Sequence, residues 1–236
     1  MNTKIKNKIV ELAEANPTEE ICGLLYYTFD SIEIVPCQNV SLEDKSYTYE
    51  IDPQEYIKVY NLGKVCGVYH SHPNSDSSFS EADLEYSEEF ALPIYVYGLK
   101  DKKIAEYIPT SYEIELEGLP FIWGLFDCFG TIRNYFRQKH KLFIPDYDRD
   151  ESFANSNSNL ILDNIKNNQF FVVENKNIEI NDLLIFKSNR IFPHHLGVFV
   201  GNSRMLHHPS GRPSIIELMT EKDFKNLTHV LRRKNV

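Results

Sequence analysis

The chain has little sulfur, and no pattern in what it has. Its 236 residues include three methionines and four cysteines, Cys22, Cys37, Cys66 and Cys128. These form neither a Cys-x-x-Cys pair nor the dense spacing of a disulfide framework, which excludes a zinc ribbon and points to a reduced folding compartment. No apolar run approaches the ~20 residues that cross a bilayer, so no membrane insertion is expected. The N-terminus, MNTKIKNKIVELA, starts basic but lacks an apolar core segment. It reads as an amphipathic helix rather than a signal peptide, and any export must use another route. An excess of base is also missing. The net charge is −9, and residues 119–236, the more basic half, hold only 16 Lys+Arg against 12 Asp+Glu. That balance does not suggest a nucleic-acid partner. No internal repeat is present.

What is there is divided. Residues 1–118 hold 22 Asp+Glu against 9 Lys+Arg, so the charge changes sign near Gly118-Leu-Pro120. The length suits one large or two modest domains. We expect a first domain over residues 1–115, a linker over 116–120 and a second domain over 121–236. Residues 4–15 have helical periodicity, with Ile5, Ile9 and Leu12 on one face. Strands are expected over Cys22–Phe29, Ser31–Cys37 and Ser46–Ile51. A helix starts at Asp52-Pro53-Gln-Glu55 and ends near Gly63. A strand over Lys64–Tyr69, a helix over Ser80–Phe90 and a strand pair over Pro93–Leu99 and Lys103–Ile108 follow. Strands interleaved with helices imply an α/β or α+β domain.

The stretch His70-Ser-His72-Pro-Asn-Ser-Asp-Ser-Ser-Phe-Ser80-Glu-Ala-Asp83 carries the chemistry of this half. Residues two apart on a strand share a face, so His70 and His72 can offer two imidazoles to one point. Asp83 can add a carboxylate, and such a set with an open fourth position describes a catalytic zinc site. Taken alone, Ser80-x-x-Asp83 reads as a capping box. The combination resembles the JAMM metalloproteases of the MPN fold. His-x-His is followed after seven residues by Ser and after two more by Asp, and Glu20-Ile-Cys22-Gly23 matches the family's upstream Glu-x-Cys-Gly. The resemblance covers about residues 1–110 and implies an α/β domain with a mixed sheet. It also implies Zn²⁺ held by His70, His72 and Asp83, with Glu20 as general base and Ser80 supporting the oxyanion.

In the second half, Trp123-Gly-Leu-Phe-Asp127-Cys128-Phe129 opens a helical pattern in which Phe129, Ile132 and Phe136 recur. A cysteine at a helix N-terminus is favoured as thiolate by the dipole and the free N–H groups. Taken alone, Cys128 reads as a buried core cysteine. Asp148–Asn159 is polar and reads as a loop, Leu160–Ile165 as a short helix, and Phe170–Val173 and Asp182–Phe186 as strands. His195-Leu-Gly-Val-Phe-Val-Gly201 and Arg204-Met-Leu-His207 read as a hairpin. A three-residue loop, Gly201–Ser203, puts His207 on the face of His195, and a two-residue loop puts them on opposite faces. His194 and His208 are expected to face the other way, with no chemical role.

This half resembles the NlpC-type cysteine peptidases, a papain-like α+β family that cuts peptidoglycan peptides. The matches are Asp127-Cys128 after Trp-Gly, His195-x-Gly-Val-Phe-x-Gly, and His207 twelve residues beyond His195. Cysteine before histidine fits the papain order. The resemblance implies Cys128 as nucleophile, His195 as base and His207 as its orienting partner. Asn181-Asp182 stands where the family often has Gly-Asp. The family's tyrosine upstream of the cysteine has no clear counterpart, which leaves the oxyanion-stabilising group unassigned. The two domains in one chain are similar to a family of tail-tip proteins of long-tailed bacteriophages. That implies a virion component made in the host cytoplasm, with peptidoglycan stem peptides and other tail-tip or baseplate-hub proteins as partners. A soluble peptidase or deconjugating isopeptidase, and a tail-tip scaffold with little activity, remain as alternatives.

Overall fold

The computed structural model describes residues 3–28, 31–147, 149, 160–166, 170–174, 177–187 and 193–234. Two compact units divide the chain, Thr3–Glu113 and Ile114–Val236. The first has a mixed sheet with helices, as expected for an α/β domain. The second is α+β with an antiparallel sheet.

The first unit begins with helix α1, Thr3–Ala15, which buries Ile5, Ile9 and Ala13. Leu12, expected on that face, is half-exposed and the smaller Ala13 is buried instead. Strands β1 (Cys22–Tyr27) and β2 (Ile32–Cys37) pair antiparallel. Phe29 and Asp30, in the expected turn, lie outside the described residues. Helix α2 spans Pro53–Leu62 with Asp52 as N-cap and proline in its first turn. Strand β3, Val65–His72, is buried along its whole length. It is followed by helix α3 (Glu81–Phe90) and strands β4 (Ile94–Gly98) and β5 (Lys103–Tyr107). The sheet order is β2-β1-β3-β4-β5, and only β3–β4 is parallel, joined by α3. The expected strand at Ser46–Ile51 does not form. That segment makes a single bridge, Ile51 to Asn39, because its backbone is spent on holding a loop.

Register in this sheet positions chemistry. Cys22 lies opposite His70 and Gly23 opposite Tyr69. A Cβ at Gly23 would meet both the Tyr69 hydroxyl and the Val35 carbonyl oxygen at 2.4 Å. Only glycine lets Tyr69 cross the strand there. Leu24, Val59, Val65 and Val68 form the core between the sheet and α2.

The second unit is built on helix α4, Cys128–His140. Helix α5 (Leu160–Lys166) and strands β6 (Phe170–Val172), β7 (Leu183–Phe186), β8 (His195–Gly201), β9 (Arg204–His207) and β10 (Ile215–Leu218) follow. Helix α6 (Glu221–Asn226) and strand β11 (Leu227–Arg233) end the unit. The sheet order is β10-β9-β8-β7-β11-β6. Leu183, Ile185, Leu196 and Val198 face α4, while Leu184, Phe186, Met205 and Val230 bury the other face. Asn181, where the family resembled often has glycine, has φ 75° and accepts a hydrogen bond from the Tyr135 hydroxyl at 2.7 Å. Asparagine is among the few side chains that tolerate that conformation. The stretch Asp148–Asn159 lies outside the described residues except for Arg149, which is buried.

The β8–β9 hairpin corrects the expected loop. The connection has two residues, Asn202 and Ser203, both at positive φ (52° and 54°), as a primed hairpin turn requires. A register shift between Phe199 and Gly201 places one extra residue in β8, so Gly197 lies opposite His207. The bulge supplies the offset that a longer loop would have supplied. His195 and His207 meet despite the short turn.

Candidate active sites

In the first unit, His70 and His72 project from the end of β3, with their Nε2 atoms 3.0 Å apart. Asp83, in the first turn of α3, brings Oδ1 to 3.1 Å from His70 Nε2 and Oδ2 to 3.6 Å from His72 Nε2. Ser80 caps α3. Its hydroxyl accepts from the Asp83 amide at 3.1 Å, and the Ser80 amide donates to Asp83 Oδ2 at 2.8 Å. The capping box and the carboxylate donor are therefore the same residues, since the cap holds Asp83 while its oxygens face the histidines.

Glu20 reaches this point from far away in sequence. Its amide donates to the Lys45 carbonyl at 2.7 Å, and its carbonyl accepts from the Asn39 side chain at 3.0 Å. Ser71, between the two histidines, ties Ile21 to β3 through both its amide and its hydroxyl. Glu20 Oε1 then lies 4.0 Å from His72 Nε2. Burial raises the Glu20 carboxyl to about 7, with the His72 charge opposing and Asp83 adding. Burial also lowers His70 against the pull of Asp83. For His72, burial is outweighed by its bonds to Asp83 and the Asp76 carbonyl, and its pKa rises.

The donor set suits a zinc ion. Nitrogen and carboxylate donors of His70, His72 and Asp83 lie within 4.8 Å of one another, all buried. His72 Nδ1–H donates to the Asp76 carbonyl at 3.0 Å, which leaves the Nε2 lone pair directed at the cluster. The His70 ring is stacked on Tyr49 at 4.6 Å.

In the second unit, Cys128 is the first residue of α4 and Asp127 is its N-cap. Asp127 Oδ1 accepts from the Gly130 amide at 2.8 Å and Oδ2 from the Gly124 amide at 2.9 Å. Arg149 Nε donates to Asp127 Oδ2 at 2.8 Å and Nη1 to Asp146 Oδ1 at 2.6 Å. The guanidinium lies 4.6 Å from the Phe129 and Tyr147 ring centroids. A Cβ at Gly130 would stand 1.8 Å from the Leu125 carbonyl oxygen. Alanine normally stabilises a helix interior over glycine by about 1 kcal/mol. Here Gly130→Ala is expected to destabilise the unit by about 1–3 kcal/mol, because backbone must move. A denaturant midpoint at or above the parent's would contradict this.

Cys128, His195, His207 and His208 line one cavity of about 400 Å³, with Phe121 and Trp123 on its wall. His195 Nε2 and His207 Nδ1 are 2.9 Å apart. His207 Nε2 lies 2.7 Å from Glu217 Oε1. At Cys128, burial opposes the helix N-terminus, which favours thiolate. Burial pushes its thiol up to about 12, with Asp127 adding and Arg149 and the Leu196 amide opposing. Burial and His207 hold His195 down, to about 3. Both shifts favour the uncharged forms, thiol and neutral imidazole.

His194 and His208, expected on the far face, both line this cavity. Each sits one residue outside its strand, where alternation no longer sets the face. His208 is fully buried, with Nδ1 3.2 Å from the Thr131 hydroxyl of α4. Sequence reasoning missed Glu217 and Arg149. Glu217 lies diagonally across from His207, because β10 pairs Ile215 with His207, and only that register reveals it.

Comparison with known proteins matches residues 2–112 to a family of prokaryotic homologs of the JAB domain, and residues 118–233 to the NlpC/P60 family. The chain is 26% identical over 218 residues to tail tip assembly protein K of Escherichia phage N15, covering 91% of this chain and 88% of that one. It is 25% identical over 183 residues to tail tip assembly protein K of Escherichia phage lambda, covering 78% and 88%. Desampylase of Haloferax volcanii is 34% identical over 95 residues, covering 37% of this chain and 66% of that one. Among the described residues, no helix is long and apolar enough to cross a membrane.

Proposed function

We propose, for a chain that joins a JAB-like domain to an NlpC/P60 domain and is homologous over most of its length to tail tip assembly protein K, that it is a phage tail-tip component and a cell-wall peptidase. It would assemble with other tail-tip proteins, travel in the virion, and cut peptidoglycan stem peptides locally during genome entry. The observation that carries the peptidase reading is the hydrogen-bonded pair His195–His207 opening into the same cavity as Cys128.

In this reading Cys128 Sγ attacks the scissile carbonyl carbon while its proton passes to His195. The imidazolium then gives that proton to the leaving amine, and the thioester is hydrolysed with His195 as base. His207 holds the His195 ring in place through Nε2. With burial favouring the uncharged thiol and imidazole, proton transfer is expected to accompany C–S bond formation.

The first domain is proposed to act as a zinc (iso)peptidase, with His70, His72 and Asp83 holding the metal. Zn²⁺, when bound, polarises a carbonyl and lowers the pKa of water. Glu20 accepts a proton, and Ser80 lies at the start of α3 beside the cluster. The JAMM resemblance of this domain, matched over residues 2–112 to JAB-domain homologs, supports as a second reading an isopeptide bond as its target.

Muropeptide mass spectrometry after digestion of purified sacculi tests the proposal. One set of fragments should vanish with Cys128→Ala, and any second set with Glu20→Gln. Sacculi left intact by the full chain would sink the wall-hydrolase reading and leave the soluble-peptidase and scaffold alternatives.

A further inference from the structure

We propose that Glu217 is a positioning residue that sets the tautomer of His195 through His207; the proposal rests on the cysteine-peptidase reading of that cavity. Three neighbouring strands each contribute one side chain to a single hydrogen-bonded line. His195 comes from β8, His207 from β9 and Glu217 from β10.

The direction of the line follows from what each atom can do. An ionised carboxylate only accepts hydrogen bonds. Glu217 is kept ionised, since burial is outweighed by its bonds to His207 and to Arg212, whose Nη2 lies 3.3 Å from Oε2. The Nε2 of His207, 2.7 Å from Glu217 Oε1, must therefore carry the proton. The Nδ1 of neutral His207 is then a lone pair and accepts from His195 Nε2–H at 2.9 Å. That leaves His195 Nδ1 as the basic nitrogen. Without an acceptor-only group at 217, His207 can turn its proton to Nδ1 and donate toward His195. The proton of His195 would then sit on Nδ1, and the base would be lost. Because burial keeps His195 neutral, a tautomer exists to be chosen. Among the described residues, the other ionisable groups near the two rings are Cys128, His194, His208, Arg212, Lys222 and Asp223.

Glu217 is half-exposed, so substitution there leaves the core intact. Nitrogen-15 NMR of histidine-labelled full-length protein reads the tautomer without needing activity, and kinetics on a soluble stem peptide read the consequence. The parent should show His195 protonated at Nε2. Glu217→Gln, the same shape but able to donate, should mix the tautomers and lower kcat about tenfold to a hundredfold, with KM within about twofold. Glu217→Asp, shorter but acceptor-only, should keep the parental tautomer and more of kcat than the glutamine variant. A merely structural role predicts the reverse order, because glutamine is the isostere. Glutamine retaining both the parental tautomer and a higher kcat than aspartate overturns the proposal. If the parent cleaves no stem peptide, the peptidase reading fails, while the NMR comparison still decides the positioning claim.

Discussion

Arg149→Met is expected to destabilise the second unit by about 3–5 kcal/mol, the usual consequence of removing one partner from a buried ion pair. The arginine is 2% exposed, and its partner Asp127 is fully buried. Methionine fills much of the volume between the Phe129 and Tyr147 rings, so the loss would be electrostatic rather than a cavity effect. Asp146 keeps its bridge to Arg133, at 3.0 Å. Among the described residues, Asp127 keeps the Gly124 and Gly130 amides. Those bonds hold the turn before α4, so the position of Cys128 depends on Asp127 remaining a charged cap. The double variant Arg149→Met, Asp127→Asn should recover part of the loss, because no unpaired charge is then left inside. Chemical denaturation read by tryptophan fluorescence suits the test, since Trp123, the chain's one tryptophan, lies in this unit. A loss under about 1 kcal/mol would mean that water reaches Asp127.

The contrast between what could and could not be read from the sequence follows from range. His70, His72 and Asp83 were legible because two local periods suffice: alternation along one strand, and the three-residue spacing of a helix cap. Helices α2 and α3 were legible from Asp52-Pro53 and Ser80 for the same reason. The approach of Glu20 was not, because it depends on Lys45, Asn39 and Ser71 from three other segments. The meeting of His195 with His207 was readable only as a condition on loop length, and a bulge met that condition in a way that residue types do not announce. Arg149 sits in a stretch whose composition reads as a polar loop, and its burial goes with direct ion pairs to Asp146, three residues back, and Asp127, far back in the sequence. For Cys128 the sequence offers two opposed influences, a helix N-terminus that favours thiolate and a core position that disfavours it, and their balance depends on packing. The dipole is worth at most ~2 kcal/mol, and burial in the hydrophobic core beside α4 is the larger effect.

Glu20→Gln should move activity and stability in opposite directions. As general base of the proposed zinc site, Glu20 is expected to contribute about 10²–10⁴ in rate, and glutamine cannot accept the proton. For stability, the comparison belongs in chelated protein, where only this chain's own charges act. The folded-state pKa of Glu20 is raised, from 4.5 to about 7, so the fold favours the protonated carboxyl. Its stabilising share is fully present below the unfolded pKa and is lost as pH rises through the folded one. The parent therefore weakens between about pH 4.5 and 7, while glutamine does not titrate. The variant should match the parent near pH 4.5 and exceed it by about 2 kcal/mol at pH 8, a full shift of this size discounted for residual solvation. Thermal melts of the two proteins with chelator at both pH values make the measurement. A difference that stays constant with pH would mean that Glu20 is already ionised in the folded protein, and would remove the burial argument for a base poised near neutrality.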